Sequence, residues 1–111
     1  MEKKLGKIES VSFGLGGYQG AMLGLHVTLS NGSWGVGDTR ANWDSEQIKW
    51  TKNTQWTEED RDSWYAEIMR YVSTLLMEAK VDSVDKLKGK PVEVTFDGNQ
   101  LKSWRILTEV L

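Results

Sequence analysis

Residues 21–36 read AMLGLHVTLSNGSWGV, and this stretch decides the fold. Leucine or valine recurs at every second position of its first part, the period-2 pattern of a strand with one buried face. These positions are Leu23, Leu25, Val27 and Leu29. Asn31-Gly32 follows, a pair that tolerates the positive φ angles of a type I′ turn and strongly favours a hairpin. Trp34 and Val36 continue the alternation, so the stretch predicts two antiparallel strands.

The segments on either side of this hairpin predict a further strand and a long helix. Leu5–Phe13 has β-forming residues, and a glycine-rich turn over Gly14–Gly20 joins it to the hairpin. A polar connection over Thr39–Trp56 then leads to a helix that begins after an N-cap at Thr57 and ends near Lys80. Apolar residues recur along it at helical spacing: Trp64, Tyr65, Ile68, Val72, Leu75, Leu76 and Ala79.

The last part of the chain predicts a second hairpin. Ser83 caps one further helical turn through Leu87, and an alternating strand follows with Val92, Val94 and Phe96 on one face. A turn over 97–99 returns the chain along 101–107. The order β-β-β-α-β-β predicts a single α+β domain over residues 1–111: an antiparallel sheet of about five strands with one long amphipathic helix packed on one face.

Composition excludes several classes of function. The net charge of −2 argues against general nucleic-acid binding, which needs an excess of lysine and arginine. The chain has no cysteine and a single histidine, His26, so neither a thiolate nucleophile nor the usual zinc site is available. No nucleophile motif is present either, and we expect a non-enzymatic protein without a cofactor or metal. The charged N-terminus and the lack of a long apolar run predict a cytoplasmic protein without a membrane segment.

Tryptophan is the most informative residue type in this chain. Five of the six tryptophans lie between Trp34 and Trp64, and the polar connection holds Trp43, Trp50 and Trp56. Such rings either cover the core or present flat π-faces to a ligand, where they stack on bases and guanidinium groups. The density of indoles favours binding.

Arginine and glycine extend this interpretation towards nucleotides. Arginine pairs bidentately with phosphate and stacks on aromatic planes, and Arg40 and Arg105 are the least explained by surface ion pairs. The run Gly14–Gly20 is followed by a strand instead of a helix, so it is no dinucleotide fingerprint. It is a wide turn, or it admits a ligand close to bare backbone amides. The predicted ligand-binding residues are Trp34, Arg40, Trp43, Asn99, Trp104 and Arg105.

Four segments resemble a family of small, mostly uncharacterised phage and prophage proteins. The segments are Phe13–Gln19, Gly35–Asp38, Trp56–Arg61 and Leu101–Glu109. The resemblance implies a short phage accessory protein made inside a bacterium, and such proteins often counter host immunity. They capture nucleotide second messengers or cap a defence protein. The nearest functional analogy is with the Thoeris anti-defence sponges, which sequester cyclic ADP-ribose-type signals.

Three functions follow as expectations. The first is a non-catalytic, homo-oligomeric protein that sequesters a small nucleotide-like ligand in the host cytoplasm. The second is an inhibitor or accessory factor that contacts a host protein, such as a defence protein, through its aromatic residues. The third, an enzyme acting on a nucleotide or nucleic acid, lacks a supporting motif.

Overall fold

A computed structural model of the chain describes residues 1–17, 20–43 and 58–111. Five strands form one antiparallel sheet in the order β3-β2-β1-β4-β5. The strands are β1 (Glu2–Gly16), β2 (Met22–Ser30), β3 (Gly35–Trp43), β4 (Pro91–Asp97) and β5 (Gln100–Ile106). Helix α1 spans Glu58–Ala79, and short 3₁₀ turns occupy Val84–Leu87 and Thr108–Val110. The predicted α+β fold and order of elements are confirmed.

The long first strand belongs to both halves of the sheet. Its beginning, Glu2 to Lys7, pairs with β4, whereas Lys7 to Gly16 pairs with β2. A register shift between Ile8 and Ser10 marks a bulge near the change of partner. A bulge bends a strand and increases its twist, which lets one strand serve two sheet halves.

The core lies between one face of the sheet and α1. The predicted alternation of β2 and β4 and the stripe on the helix supply most of it. Its buried apolar residues are Ile8, Leu25, Val27, Leu29, Ile68, Val72, Leu75, Ala79, Leu87, Val92, Val94, Phe96 and Ile106. Within the described ranges, no helix combines the length and the apolar character needed to cross a bilayer.

A close backbone contact explains one strand glycine. A Cβ on Gly24 would lie 2.1 Å from the carbonyl oxygen of Arg40, and the backbone there has a φ of +156°. Only glycine lets β2 and β3 approach each other at this point.

Helix α1 ends in a Schellman motif with a lysine at the left-handed position. Lys80 has a φ of 59°, and its N–H donates to the Met77 carbonyl at 3.2 Å. The Val81 N–H reaches back to the Leu76 carbonyl at 3.0 Å. These two bonds satisfy the last carbonyls of the helix, although glycine is the residue that usually adopts this conformation.

The first hairpin forms as predicted, but its turn type was predicted wrongly. Asn31 does not adopt a positive φ, and the loop extends from Asn31 to Trp34, closed by the Asn31 N–H donating to the Trp34 carbonyl. The Asn31 side chain instead accepts a hydrogen bond from the Ser33 N–H at 3.0 Å. The side chain therefore stabilises an Asx turn, which competes with the type I′ geometry.

Several boundaries also differ from the prediction. β1 extends through Gly16, into the segment predicted as a turn, and β3 extends to Trp43, into the segment predicted as a connection. In both places backbone pairing with β2 continues the strand through residues of mixed β-propensity, glycine and leucine in β1 and Thr39–Trp43 in β3. The predicted N-cap Thr57 and the rest of the polar connection lie outside the described residues.

Candidate functional site

The two edge strands of the sheet are joined by side chains on the core face. Asp38 of β3 pairs with the buried Val27, and in an antiparallel pair opposite residues share a face. Trp104 of β5 pairs with the buried Val94 and therefore lies on this face too. The Trp104 Nε1–H donates to Asp38 Oδ2 at 2.6 Å. Since β3 and β5 are opposite edges, the sheet must curl around its core for this bond to form.

Four residues make up this site, which we term the edge cluster: Asp38, Arg40, Tyr71 and Trp104. Arg40 lies two residues after Asp38 on the same face, and its Nε is 3.7 Å from Asp38 Oδ2. The Arg40 guanidinium carbon lies 4.5 Å from the ring centroid of Tyr71 on α1. A cation over an aromatic face is attracted by the ring quadrupole, so Tyr71 and Asp38 together orient the guanidinium.

The Asp38 side chain of the cluster is largely buried, whereas the Arg40 side chain is half-exposed. The Asp38 side chain is 19% exposed and the Arg40 side chain 55%. The hydrogen bonds of the described residues include none from the two terminal nitrogens of Arg40. Burial raises the pKa of the Tyr71 hydroxyl; the Arg40 charge lowers it, while Asp38 and Glu78 raise it further. Tyr71 is therefore a neutral ring and a neutral donor at physiological pH.

The structure brings together two of the predicted ligand residues, Arg40 and Trp104. Trp34 lies on the core face near the start of β3, where its ring packs against Gly6 and meets Phe96 edge-on at 5.3 Å. A Cβ on Gly6 would lie 2.9 Å from the Trp34 ring. Trp34 therefore helps to hold β3 against β1 and β4.

The structure places Asn99 and Arg105 away from the edge cluster. Asn99 lies exposed in the turn between β4 and β5. Arg105 alternates with Trp104 and occupies the other face of β5, where its Nε donates to Glu93 at 3.2 Å. Its Nη1 and Nη2 donate to the two carboxylate oxygens of Glu109 at 3.0 and 3.1 Å. A phosphate at Arg105 would have to displace both carboxylates.

These contacts shift the pKa values of the Arg105–Glu109 pair in opposite directions. The hydrogen bonds that Arg105 donates to Glu109, and then to Glu93, raise the pKa of the Arg105 guanidinium, and the bond accepted from Arg105 lowers the pKa of Glu109. The pair remains charged over the whole neutral range.

The remaining tryptophan predictions fall largely outside the described residues. Trp43 ends β3 with its backbone paired to Met22, but its side chain is not among those described. Trp50 and Trp56 also lie outside the described ranges.

Two members of the edge cluster were not predicted. Asp38 is separated from Arg40 by one residue, and this i, i+2 spacing on a strand places both side chains on one face. Tyr71 lies three residues after Ile68 and borders the buried stripe of α1. Both signals are present in the sequence, but neither indicates that the helix meets the third strand.

The side chains of the edge cluster are suited to binding a ligand. In the described ranges, histidine and carboxylate side chains do not gather in groups of three or more that would hold a metal ion. The edge cluster presents one half-exposed guanidinium beside a phenol ring and an indole that both pack against the core, and such a guanidinium is suited to binding an anion.

Comparisons of the chain with protein-family models, with curated proteins and with solved structures gave no match.

Proposed function

We propose that this chain is a phage-encoded, non-catalytic protein that sequesters a nucleotide-type immune second messenger. The ligand would be a cyclic nucleotide or a molecule like cyclic ADP-ribose, and the protein would act in the cytoplasm of the bacterial host. The observation that supports this proposal most is the Arg40 guanidinium, which lies over the Tyr71 ring on a side chain that is 55% exposed.

An oriented arginine lowers the entropic cost of binding an anion. Arg40 contacts the Tyr71 face and forms an ion pair with Asp38 at 3.7 Å, so part of its rotamer freedom is already lost before a ligand binds. The two terminal nitrogens form a fork that matches two phosphate oxygens. The Asp38 carboxylate accepts the Trp104 Nε1–H, and its side chain is more buried than that of Arg40.

A binding titration with matched arginine variants tests the proposal. Isothermal titration calorimetry would measure the affinity of the wild type for cyclic AMP, cyclic GMP, 3′,5′-cyclic dinucleotides and cyclic ADP-ribose isomers. We expect Arg40→Gln to weaken binding of the responding ligand by about 10- to 100-fold, since a charge-assisted pair contributes about 1.5–3 kcal/mol. Arg105→Gln removes the same charge from a residue already paired with two carboxylates, and it should leave the affinity unchanged.

Two results would contradict the proposal. One is a flat calorimetric response and an unchanged melting temperature for the wild type across the whole panel. The other is equal loss of affinity in the Arg40 and Arg105 variants, which would indicate a charge effect without a site.

A second function, inhibition of a host protein through direct contact, has one observation in its favour. An apolar cleft of about 330 Å³ lies between the start of α1 and the sheet. Its lining consists of Phe13, Leu23, Trp64, Tyr65, Ile68 and Met69. Phe13 is 45% exposed and Met69 58%, which is more than a buried core leaves open. Apolar surface of this kind commonly marks a protein interface, either with a host factor or with a second copy of the chain.

Replacement of Met69 distinguishes these partners. Met69→Asp introduces a charge into the cleft at an exposed position, so the fold should tolerate it. Light scattering of the wild type and the variant reports whether a homo-oligomer dissociates, and a pull-down from host lysate reports whether a stoichiometric partner is lost. A monodisperse wild-type monomer that captures no partner would leave the contact function without support.

A further inference from the structure

A groove with several hydroxyl side chains lies on the face of the sheet opposite the helix. It has a volume of about 410 Å³ and runs across β1, β2 and β3. The side chains that line it include Ser10, Ser12, His26, Thr28 and Thr39, with Gly37 between them on β3. Thr39 lies between Asp38 and Arg40 in the sequence and faces the other way, so the groove and the edge cluster are on opposite faces of the sheet.

The groove contains unused hydrogen-bonding capacity. The hydroxyl groups of Ser10, Ser12, Thr28 and Thr39 form no hydrogen bond with any residue that the structure describes. A hydroxyl both donates and accepts, so each can serve either kind of ligand group. Three of these residues are exposed, and Thr28 is half-buried.

His26 adds an acceptor to the groove, because contacts with the backbone determine the tautomer of its ring. Its Nε2 lies 3.2 Å from the carbonyl oxygens of both Gly14 and Met22. Two acceptors on one nitrogen require that nitrogen to carry the proton, so in the neutral ring Nδ1 is an acceptor. The ring lies against Gly16, where a Cβ would come within 3.0 Å of Nε2. Nδ1 has no hydrogen-bond partner within the described parts of the chain.

The lining carries no formal charge. Among the described residues that form the groove, none is lysine, arginine, aspartate or glutamate. An ionic ligand would lose hydration here without gaining a counter-charge. A neutral ligand rich in hydroxyl groups would instead match the mixed donors and acceptors.

We infer that this groove binds an uncharged sugar ring. The chemistry is that of vicinal hydroxyls, which two sources present: a neutral oligosaccharide, or the ribose of a nucleoside. The inference does not depend on the proposed function, because it uses none of the residues of the edge cluster.

Two glycines on the outer face of β3 provide a matched test. A Cβ on Gly37 would have only the Val27 carbonyl oxygen within 4 Å, at 3.8 Å. A Cβ on Gly35 would also meet its nearest atom, the Leu29 carbonyl oxygen, at 3.8 Å. The strand therefore accepts a side chain at either position, but only Gly37 lines the groove. Gly37→Val should fill the groove, and Gly35→Val is its control.

The experiment follows backbone amide shifts by two-dimensional NMR on the full chain. The probes are maltotriose and chitotriose as neutral oligosaccharides, adenosine as a neutral nucleoside, and AMP as a charged comparison. We expect one neutral probe to shift the amides of Ser10, Ser12 and Thr28 in a saturable way. Gly37→Val should weaken that binding at least about tenfold, whereas Gly35→Val should leave it unchanged.

The responding probe identifies the source of the sugar, and other outcomes overturn the inference. No saturable shift with any neutral probe, shifts confined to the helix-covered face, or equal losses in the two glycine variants would each refute it. If Gly37→Val fails to fold, Thr39→Val replaces it by deleting one groove hydroxyl at nearly constant shape. Retention of the full affinity in that variant would equally refute the site. Arg40→Gln should not affect sugar binding, which separates this result from a failure of the proposed function.

Discussion

Trp104 and Trp34 provide a matched test of the bond that joins the sheet edges, because their indole nitrogens have opposite environments. Trp104 Nε1 donates to the Asp38 carboxylate at 2.6 Å. Trp34 Nε1 is buried without a hydrogen-bond partner among the described residues. Both rings are half-buried and both pack against the core. Replacing each by phenylalanine deletes the same N–H group from two different environments.

The expected magnitudes follow from these environments. Phenylalanine buries less apolar surface than tryptophan, and this loss lowers the free energy of unfolding by roughly 1 kcal/mol at either position. A hydrogen bond to a charged group contributes about 1.5–3 kcal/mol, so Trp104→Phe should lower the free energy of unfolding by about 2.5–4 kcal/mol. A buried, unsatisfied donor costs about 1–3 kcal/mol, and its removal in Trp34→Phe should offset the lost burial. We therefore expect Trp34→Phe to leave the free energy of unfolding unchanged or to raise it by up to about 2 kcal/mol.

Urea unfolding followed by far-ultraviolet circular dichroism measures both variants without relying on tryptophan emission. A double-mutant cycle of Trp104→Phe with Asp38→Ala isolates the pair, and its coupling energy should be about 1.5–3 kcal/mol. Equal destabilisation by the two phenylalanine variants, or a coupling energy near zero, would refute the conclusion that this bond holds the curled sheet together.

Three further predictions concern single positions. Lys80→Gly should raise the free energy of unfolding by about 0.5–1 kcal/mol in urea titrations, since glycine adopts the left-handed conformation of the helix end at lower cost. Gly24→Ala should lower the free energy of unfolding by about 3 kcal/mol or more, because the new Cβ would meet the Arg40 carbonyl oxygen at 2.1 Å. Gly37→Ala should leave the free energy of unfolding nearly unchanged. The pKa of the Tyr71 hydroxyl is raised in the folded state. Its contribution to the free energy of unfolding is therefore complete below about pH 10, the pKa in the unfolded chain, and is lost as the pH rises through the pKa of the folded state. Wild-type stability should therefore fall more steeply above pH 10 than that of Tyr71→Phe in denaturant titrations at several pH values.

Each of these predictions has a contrary result. A destabilised Lys80→Gly variant would show that the lysine side chain stabilises the helix end. Similar unfolding midpoints for the alanine variants of Gly24 and Gly37 would show that the sheet relaxes around the added methyl group. Parallel pH profiles for the wild type and Tyr71→Phe would show that the hydroxyl ionises equally in the folded and unfolded chains.

Sequence periodicity determined the elements of this fold and the faces they bury. The alternation of Val92, Val94 and Phe96 predicted β4, and all three residues are buried. The helical spacing from Ile68 to Ala79 predicted α1 and its buried side. Such patterns are local, because a strand or helix exposes the same face to the core whatever its neighbours are.

The candidate site was only partly predictable. The sequence predicted Arg40 and Trp104 as ligand residues from their chemistry, and the structure brings these two together, but the sequence did not indicate Asp38 and Tyr71, which contact them. It grouped Arg105 with Arg40, although the two occupy opposite faces at opposite edges of the sheet. An arginine with several carboxylates nearby is paired with them, and one with few is free to bind a ligand. The number of nearby carboxylates depends on strand pairing. Glu93 lies beside Arg105 only because β4 pairs with β5.

The sequence alone determined that this chain has an antiparallel sheet, a single long helix and a surplus of aromatic and arginine side chains. Only the tertiary structure decided that β1 is shared between two sheet halves and that β3 meets β5 across the core. The Trp104–Asp38 bond joins residues 66 positions apart. No local pattern encodes such a contact, because it depends on the accumulated twist and bend of all the strands between them.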